Sequence, residues 1–130
     1  MEDYVTYEQA IKLKEIGFDW ECNYIYKKDF FNQWIFFHCL RDAYRNHNQG
    51  GESEPIFVSA PTLSQAQKWL REVKGICVEL RIHPLYRNWF GKVFDLKDYP
   101  NINFVSDIDL WDTYEQALSV GISKALEILK

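Results

Sequence analysis

The sequence predicts an α+β domain: an antiparallel sheet of four or five strands with three helices, in the order α-β-β-α-β-β-α, spanning residues 1–130 as one unit. Three observations carry this reading. A Thr-x-x-Gln-Ala phrase recurs at residues 6–10, 62–66 and 113–117. Between these phrases the hydrophobic period switches from that of a helix to the period of two that marks a strand. Glycines, Gly17 and Gly75, stand where the first two helices would end, and glycine is the residue a helix C-terminus favours.

Each Thr-x-x-Gln is a capping box. The threonine hydroxyl accepts from the backbone N–H three residues on, and the glutamine side chain accepts from the threonine N–H, so two donors that a helix start leaves orphaned are satisfied. The first helix, after Thr6, spreads Tyr7, Ala10, Ile11 and Leu13 over a wide arc. The second, after Thr62, lines up Leu63, Ala66, Trp69, Leu70 and Val73 opposite Ser64, Lys68, Arg71 and Glu72, the pattern of a helix with one buried stripe. The third, after Thr113, groups Tyr114, Ala117, Leu118, Gly121, Ile122, Ala125, Ile128 and Leu129. Its small residues Ala117, Gly121 and Ala125 let that helix approach a sheet closely.

Residues 76–83 alternate Ile76, Val78, Leu80 and Ile82 with Cys77, Glu79, Arg81 and His83, as a strand covered on one face does. Pro84 ends it. Residues 20–27, 33–40 and 88–96 are aromatic and β-branched enough for strands, and 56–59 reads as a short one. Residues 41–55 and 97–112 read as irregular, the first polar with Gly50-Gly51 at its tip, the second broken by Pro100 and several Asn and Asp. Two αββ runs of similar length hint at an internal duplication, but the halves match poorly outside the capping boxes and closing glycines, which favours three helices that meet one N-cap problem with one solution.

With 130 residues, 47% of them apolar and 26% charged, the chain has globular composition and buries roughly two-thirds of its unfolded surface. Five Trp, eight Tyr and nine Phe exceed what such a core needs and place some rings at the surface. A net charge of −4 argues against non-specific nucleic-acid binding, which draws on a surplus of Lys and Arg. Met1-Glu2-Asp3 is no secretory n-region, and no apolar stretch approaches the ~20 residues that span a bilayer. Cys22, Cys39 and Cys77 are odd in number and form no C-x-x-C pair, which suits reduced, structural cysteines in a cytoplasmic protein.

No G-x-S-x-G, P-loop or G-x-G-x-x-G occurs, so no cofactor is expected. His38, His47 and His83 form no metal-ligand spacing. Asp107-x-Asp109-x-x-Asp112 lacks the glycine and terminal Glu of an EF-hand and reads as acids leading into a helix N-terminus. The chemistry-bearing surface is the polar face of strand 76–83. Glu79 and Arg81 sit two apart and can pair; with His83, Arg87 and Trp89 they make the candidate site for an anionic or peptide ligand. In residues 33–40, Trp34, Phe36 and Leu40 oppose Ile35, Phe37 and Cys39, a strand apolar on both faces. Trp34 is thus the anchor of a second candidate surface, for a protein partner or a homodimer.

The run of residues 59–76, with Ala60-Pro61-Thr62 followed by Lys68-Trp69-Leu70-Arg71-Glu72-Val73, resembles small uncharacterised proteins of gut Bacteroides and their phages or mobile elements. The Lys14-Glu15-Ile16-Gly17-Phe18-Asp19 step and the Trp111-Asp112-Thr113-Tyr114-Glu115-Gln116-Ala117 helix start match the same group. The resemblance implies a bacterial or phage origin and a cytoplasmic protein encoded beside mobile-element genes; it carries no reaction, ligand or site residue. Two functions are therefore expected in competition: a small accessory module that binds a protein or itself, and a small-ligand protein or enzyme with a site near Arg81 and His83.

Overall fold

The structure, a computed structural model, describes residues 3–28, 31, 33–38 and 57–129. The loop 41–55 with its Gly50-Gly51 tip, and Cys39, Leu40 and His47, lie outside the described residues. Three helices, α1 (Tyr7–Glu15), α2 (Leu63–Val73) and α3 (Tyr114–Ile128), join six strands: β1 (Tyr24–Lys28), β2 (Trp34–His38), β3 (Phe57–Ser59), β4 (Ile76–Ile82), β5 (Trp89–Asp95) and β6 (Asn103–Trp111). The fold is α+β, as expected, but its strands form two three-stranded antiparallel sheets, β2-β1-β3 and β4-β5-β6, in place of one sheet of four or five. The chain order is accordingly α-β-β-β-α-β-β-β-α. The chain gathers into two compact units, Glu2–Thr62 and Leu63–Lys130.

In the first unit α1 opens on the expected capping box: Thr6 Oγ1 accepts from the Gln9 N–H at 3.2 Å and Gln9 Oε1 from the Thr6 N–H at 2.9 Å. It closes on a Schellman motif. Phe18 N–H donates to the Leu13 carbonyl and Gly17 N–H to that of Lys14, with Gly17 at φ +97°, a left-handed conformation that costs glycine no Cβ clash. Leu13 and Phe18 are both buried, as are Val5, Ala10, Cys22, Ile25, Val58 and Ala60.

The β1–β2 hairpin stacks its rings. Tyr24 lies on Phe36 with centroids 4.7 Å apart, Tyr26 meets Phe36 edge-on at 5.3 Å, and Tyr4 and Tyr7 close over Phe36 and Trp34 at 5.1 and 6.2 Å. The segment holding Tyr4 is fixed by a bridge to Thr62 and by the Val5 N–H bonded to the Pro61 carbonyl. Much of the ring surface thus packs on itself: Tyr24, Tyr26 and Trp34 are half-buried, while Phe36 is exposed.

In the second unit α2 and α3 pack on one face of the β4-β5-β6 sheet. The α2 stripe buries Leu63, Ala66, Trp69 and Leu70 but leaves Val73 exposed at the helix end. Buried from α3 are Ala117, Leu118, Gly121, Ile122, Ala125 and Leu126; Ile128, placed on the same stripe by the sequence, is exposed. A Cβ on Gly121 would lie 2.5 Å from Val78 Cγ1 and 2.7 Å from Ile108 Cδ1. The close approach expected of the small residues is therefore real, and it is centred on Gly121. The largest departure is β6, which runs through the stretch read as irregular. Turn occupies 97–100, and the strand runs from Asn103 to Trp111.

Candidate functional site

Two helices cover one face of the β4-β5-β6 sheet, and the other carries the polar side chains of β4. Ile76, Val78, Val93 and Ile108 are buried, so their sequence neighbours point the opposite way. The antiparallel register sets these neighbours in rows across the strands: Cys77, Phe94 and Phe104; then Glu79, Lys92 and Asp107; then Arg81 and Phe90. Aromatic and charged rows alternate.

Within the charged row, Glu79 and Lys92 are directly opposed, an arrangement that favours pairing. They do not pair. Glu79 Oε1 accepts from Arg81 Nε and Nη2, both at 3.1 Å, the i, i+2 pairing expected from the sequence. Lys92 leans the other way, its ammonium 5.6 Å from the Phe104 ring centroid, a cation–π contact. The two long side chains part and leave a depression of about 300 Å³ lined by Glu79, Arg81, Phe90, Gly91, Lys92 and Phe94. That volume lies at the small end of ligand sites, about 300–1,000 Å³. Gly91 brings the β4 and β5 backbones together: a Cβ there would collide with the Glu79 carbonyl oxygen.

The sequence-predicted residues divide. Arg81 lines the depression. His83 stands at its end, its ring 6.1 Å from that of Phe90, and its Nδ1 accepts from the Leu85 and Tyr86 N–H groups at 3.2 and 3.4 Å. That nitrogen shapes the β4–β5 turn. Arg87 belongs to the same turn, at φ +57° with its N–H on the His83 carbonyl at 3.0 Å. Trp89 is on the helix side, edge-on to Tyr114 at 5.0 Å, so it does not join Arg81. Trp34 belongs to the first unit, stacked on Tyr7. Of the three aspartates, Asp112 accepts from Asn88 Nδ2 at 3.1 Å, while Asp107 falls in the charged row. Among the described residues no three His, Cys, Asp or Glu converge as a metal site.

The site residues that sequence reasoning missed include Phe90, Lys92, Phe94 and Phe104. The signal for the first three was present: Phe90, Lys92 and Phe94 share one parity in β5, opposite the buried Gly91 and Val93. Burial raises the pKa of the Cys77 thiol, the effect of Arg71 being smaller and opposite. Cys77 is therefore a poor nucleophile beside this face. No helix among the described residues is long and apolar enough to cross a membrane. No family model matches the chain, and no curated protein or solved structure matches it significantly.

Proposed function

We propose that the chain works by binding another protein through the open face of the β4-β5-β6 sheet. The observation that carries this is the set of rings on the face turned away from α2 and α3: Phe104 is 54% exposed, Phe94 stands beside it and Phe90 beyond the charged row, both half-buried, and the turn after β4 presents Leu85 and Tyr86. Aromatic surface interleaved with charged side chains is the make-up of protein-binding patches. The hairpin supports self-association less, because its rings are taken up by Tyr4 and Tyr7. A cytoplasmic protein of bacterial or phage origin is the setting this reading assumes.

The test is affinity capture from the native host with the intact chain and with a Phe94→Asp/Phe104→Asp variant whose circular dichroism matches it. A partner retained by the first and lost by the second supports the reading; identical captures refute it. The depression beside Arg81 favours a second reading, a small ligand held by Arg81 and Lys92 over Phe90 and Phe94. Ligand-observed NMR with a fragment library separates the two, since a true pocket returns hits that Phe90→Ala abolishes.

A further inference from the structure

We infer that β6 is a docking edge that takes an extended, basic segment of a partner protein as a fourth strand. The inference rests on the protein-binding reading above and names the partner's chemistry.

The two outer strands of the sheet, β4 and β6, are finished differently. Hydrogen bonds fix the phase of the ladder: the His83 N–H donates to the Asn88 carbonyl and the Leu96 N–H to that of Gly75, both at 2.7 Å. Odd-numbered β4 residues therefore bond toward β5, and even-numbered ones point their N–H and C=O outward. On that outer side Gln67 Nε2, from α2, donates to the Val78 carbonyl at 2.8 Å, so the β4 edge is already occupied at its centre. The same alternation carried through β5 turns Ser106 and Ile108, the partners of Val93 and Gly91, inward. Asp107, between them, then presents its backbone groups to the outside, and Asp109 follows where the register shifts between Gly91 and Trp89. Among the described residues no strand pairs there, and the Asp107 carbonyl receives only the Ser106 hydroxyl at 3.3 Å.

The side chains say which strand fits. Across the sheet the charged row reads Glu79, Lys92, Asp107, negative, positive, negative, and it stops at a carboxylate with no ion pair among the described residues. A basic side chain continues that row. The neighbouring row, Cys77, Phe94 and Phe104, ends on an exposed ring and calls for an apolar one. An antiparallel guest thus carries basic residues two apart, opposite Asp109 and Asp107, followed by an aromatic or branched residue near Phe104. A second copy of β6 is excluded as guest, since antiparallel self-pairing about its centre sets aspartate against aspartate, a destabilising match.

The experiment titrates the 15N-labelled chain with an acetylated, amidated peptide, Thr-Arg-Val-Lys-Val-Phe-Thr, and with its counterpart carrying Glu for Arg and Lys. The expected result is saturable binding of the basic peptide alone, weakened by added salt as exposed ion pairs are. The Asp107 amide becomes protected from hydrogen exchange, while those of Ser106 and Ile108 are protected beforehand. Asp107→Asn/Asp109→Asn is expected to weaken binding about fivefold, the share of two cross-strand ion pairs. Asp107→Pro removes an outward donor without touching the β5 ladder and is expected to abolish binding. Equal affinity for both peptides, or no new protection at Asp107, overturns the inference. If host capture is lost with Phe94→Asp/Phe104→Asp yet unaffected by Asp107→Pro, strand addition fails while the face reading stands.

Discussion

Gly121→Ala sets two effects of known size against each other. In a helix interior the change from glycine to alanine is favourable by about 1 kcal/mol, because glycine loses more backbone freedom on folding. Against this, the new methyl would sit 2.5 Å from Val78 Cγ1 and 2.7 Å from Ile108 Cδ1, well inside the contact distance of about 3.5–4.0 Å for two carbons. Val78 and Ile108 are 3% and 2% exposed, so neither has room to withdraw, and forcing a methylene into such a core costs about 1–3 kcal/mol. The overlap wins, and a net loss of about 1 kcal/mol is expected. In urea that lowers the midpoint by about 0.5 M, taking a slope of about 2 kcal/mol/M. The double variant Val78→Ala/Gly121→Ala removes the nearer obstacle, so its loss falls short of the summed single losses by about 1 kcal/mol. A Gly121→Ala variant more stable than the natural chain would refute the close approach of α3 to the sheet.

Gly17→Ala tests backbone geometry alone, since nothing lies within 4 Å of the added Cβ and φ is +97°; a loss of about 1–2 kcal/mol by the same denaturation assay is expected. Thr113→Ala removes the 3.1 Å acceptor for the Gln116 N–H and is expected to cost about 1 kcal/mol, with Thr113→Ser recovering most of it. Cys22 is buried, and burial pushes its thiol up to about 12 from 9.0, against a smaller lowering by Ser59. It is therefore expected to resist iodoacetamide at pH 9 in the native chain and to react once unfolded, as peptide mass spectrometry would show. The raised folded pKa means that its contribution to stability is complete below pH 9 and declines between pH 9 and about 12.

Local signals were the legible ones. Thr6 and Thr113 announced their helices because a capping box is read from four consecutive residues, and both boxes are present. Gly17 and Gly75 announced helix ends because a positive φ, +97° and +69°, selects glycine almost regardless of surroundings. Strand β6 was hidden by its composition. An outer strand with one open face carries Asp107 and Asp109 among its outward residues, and aspartate and Pro100 both argue against a strand. The alternation of Ser106, Ile108 and Leu110 with those aspartates was nonetheless in the chain. At the site, Arg81 and its pairing with Glu79 followed from spacing on one strand. Trp89 was assigned to the same surface by proximity in sequence, whereas its parity with the buried Gly91 and Val93 places it on the helix side. Phe104 joins the site only through cross-strand register, which no single segment encodes.

The Gln67 side chain seated on the Val78 carbonyl has a consequence for how this chain can assemble. A sheet with two open edges offers itself to neighbours on both sides and can polymerise without limit. Here one side is stoppered by an amide from the molecule's own helix, so growth is possible in one direction only. Whatever strand arrives at β6 contributes its own far edge as the new boundary. Of its own two edges the β4-β5-β6 sheet therefore offers one, β6, and Gln67→Ala is the substitution that would open the other.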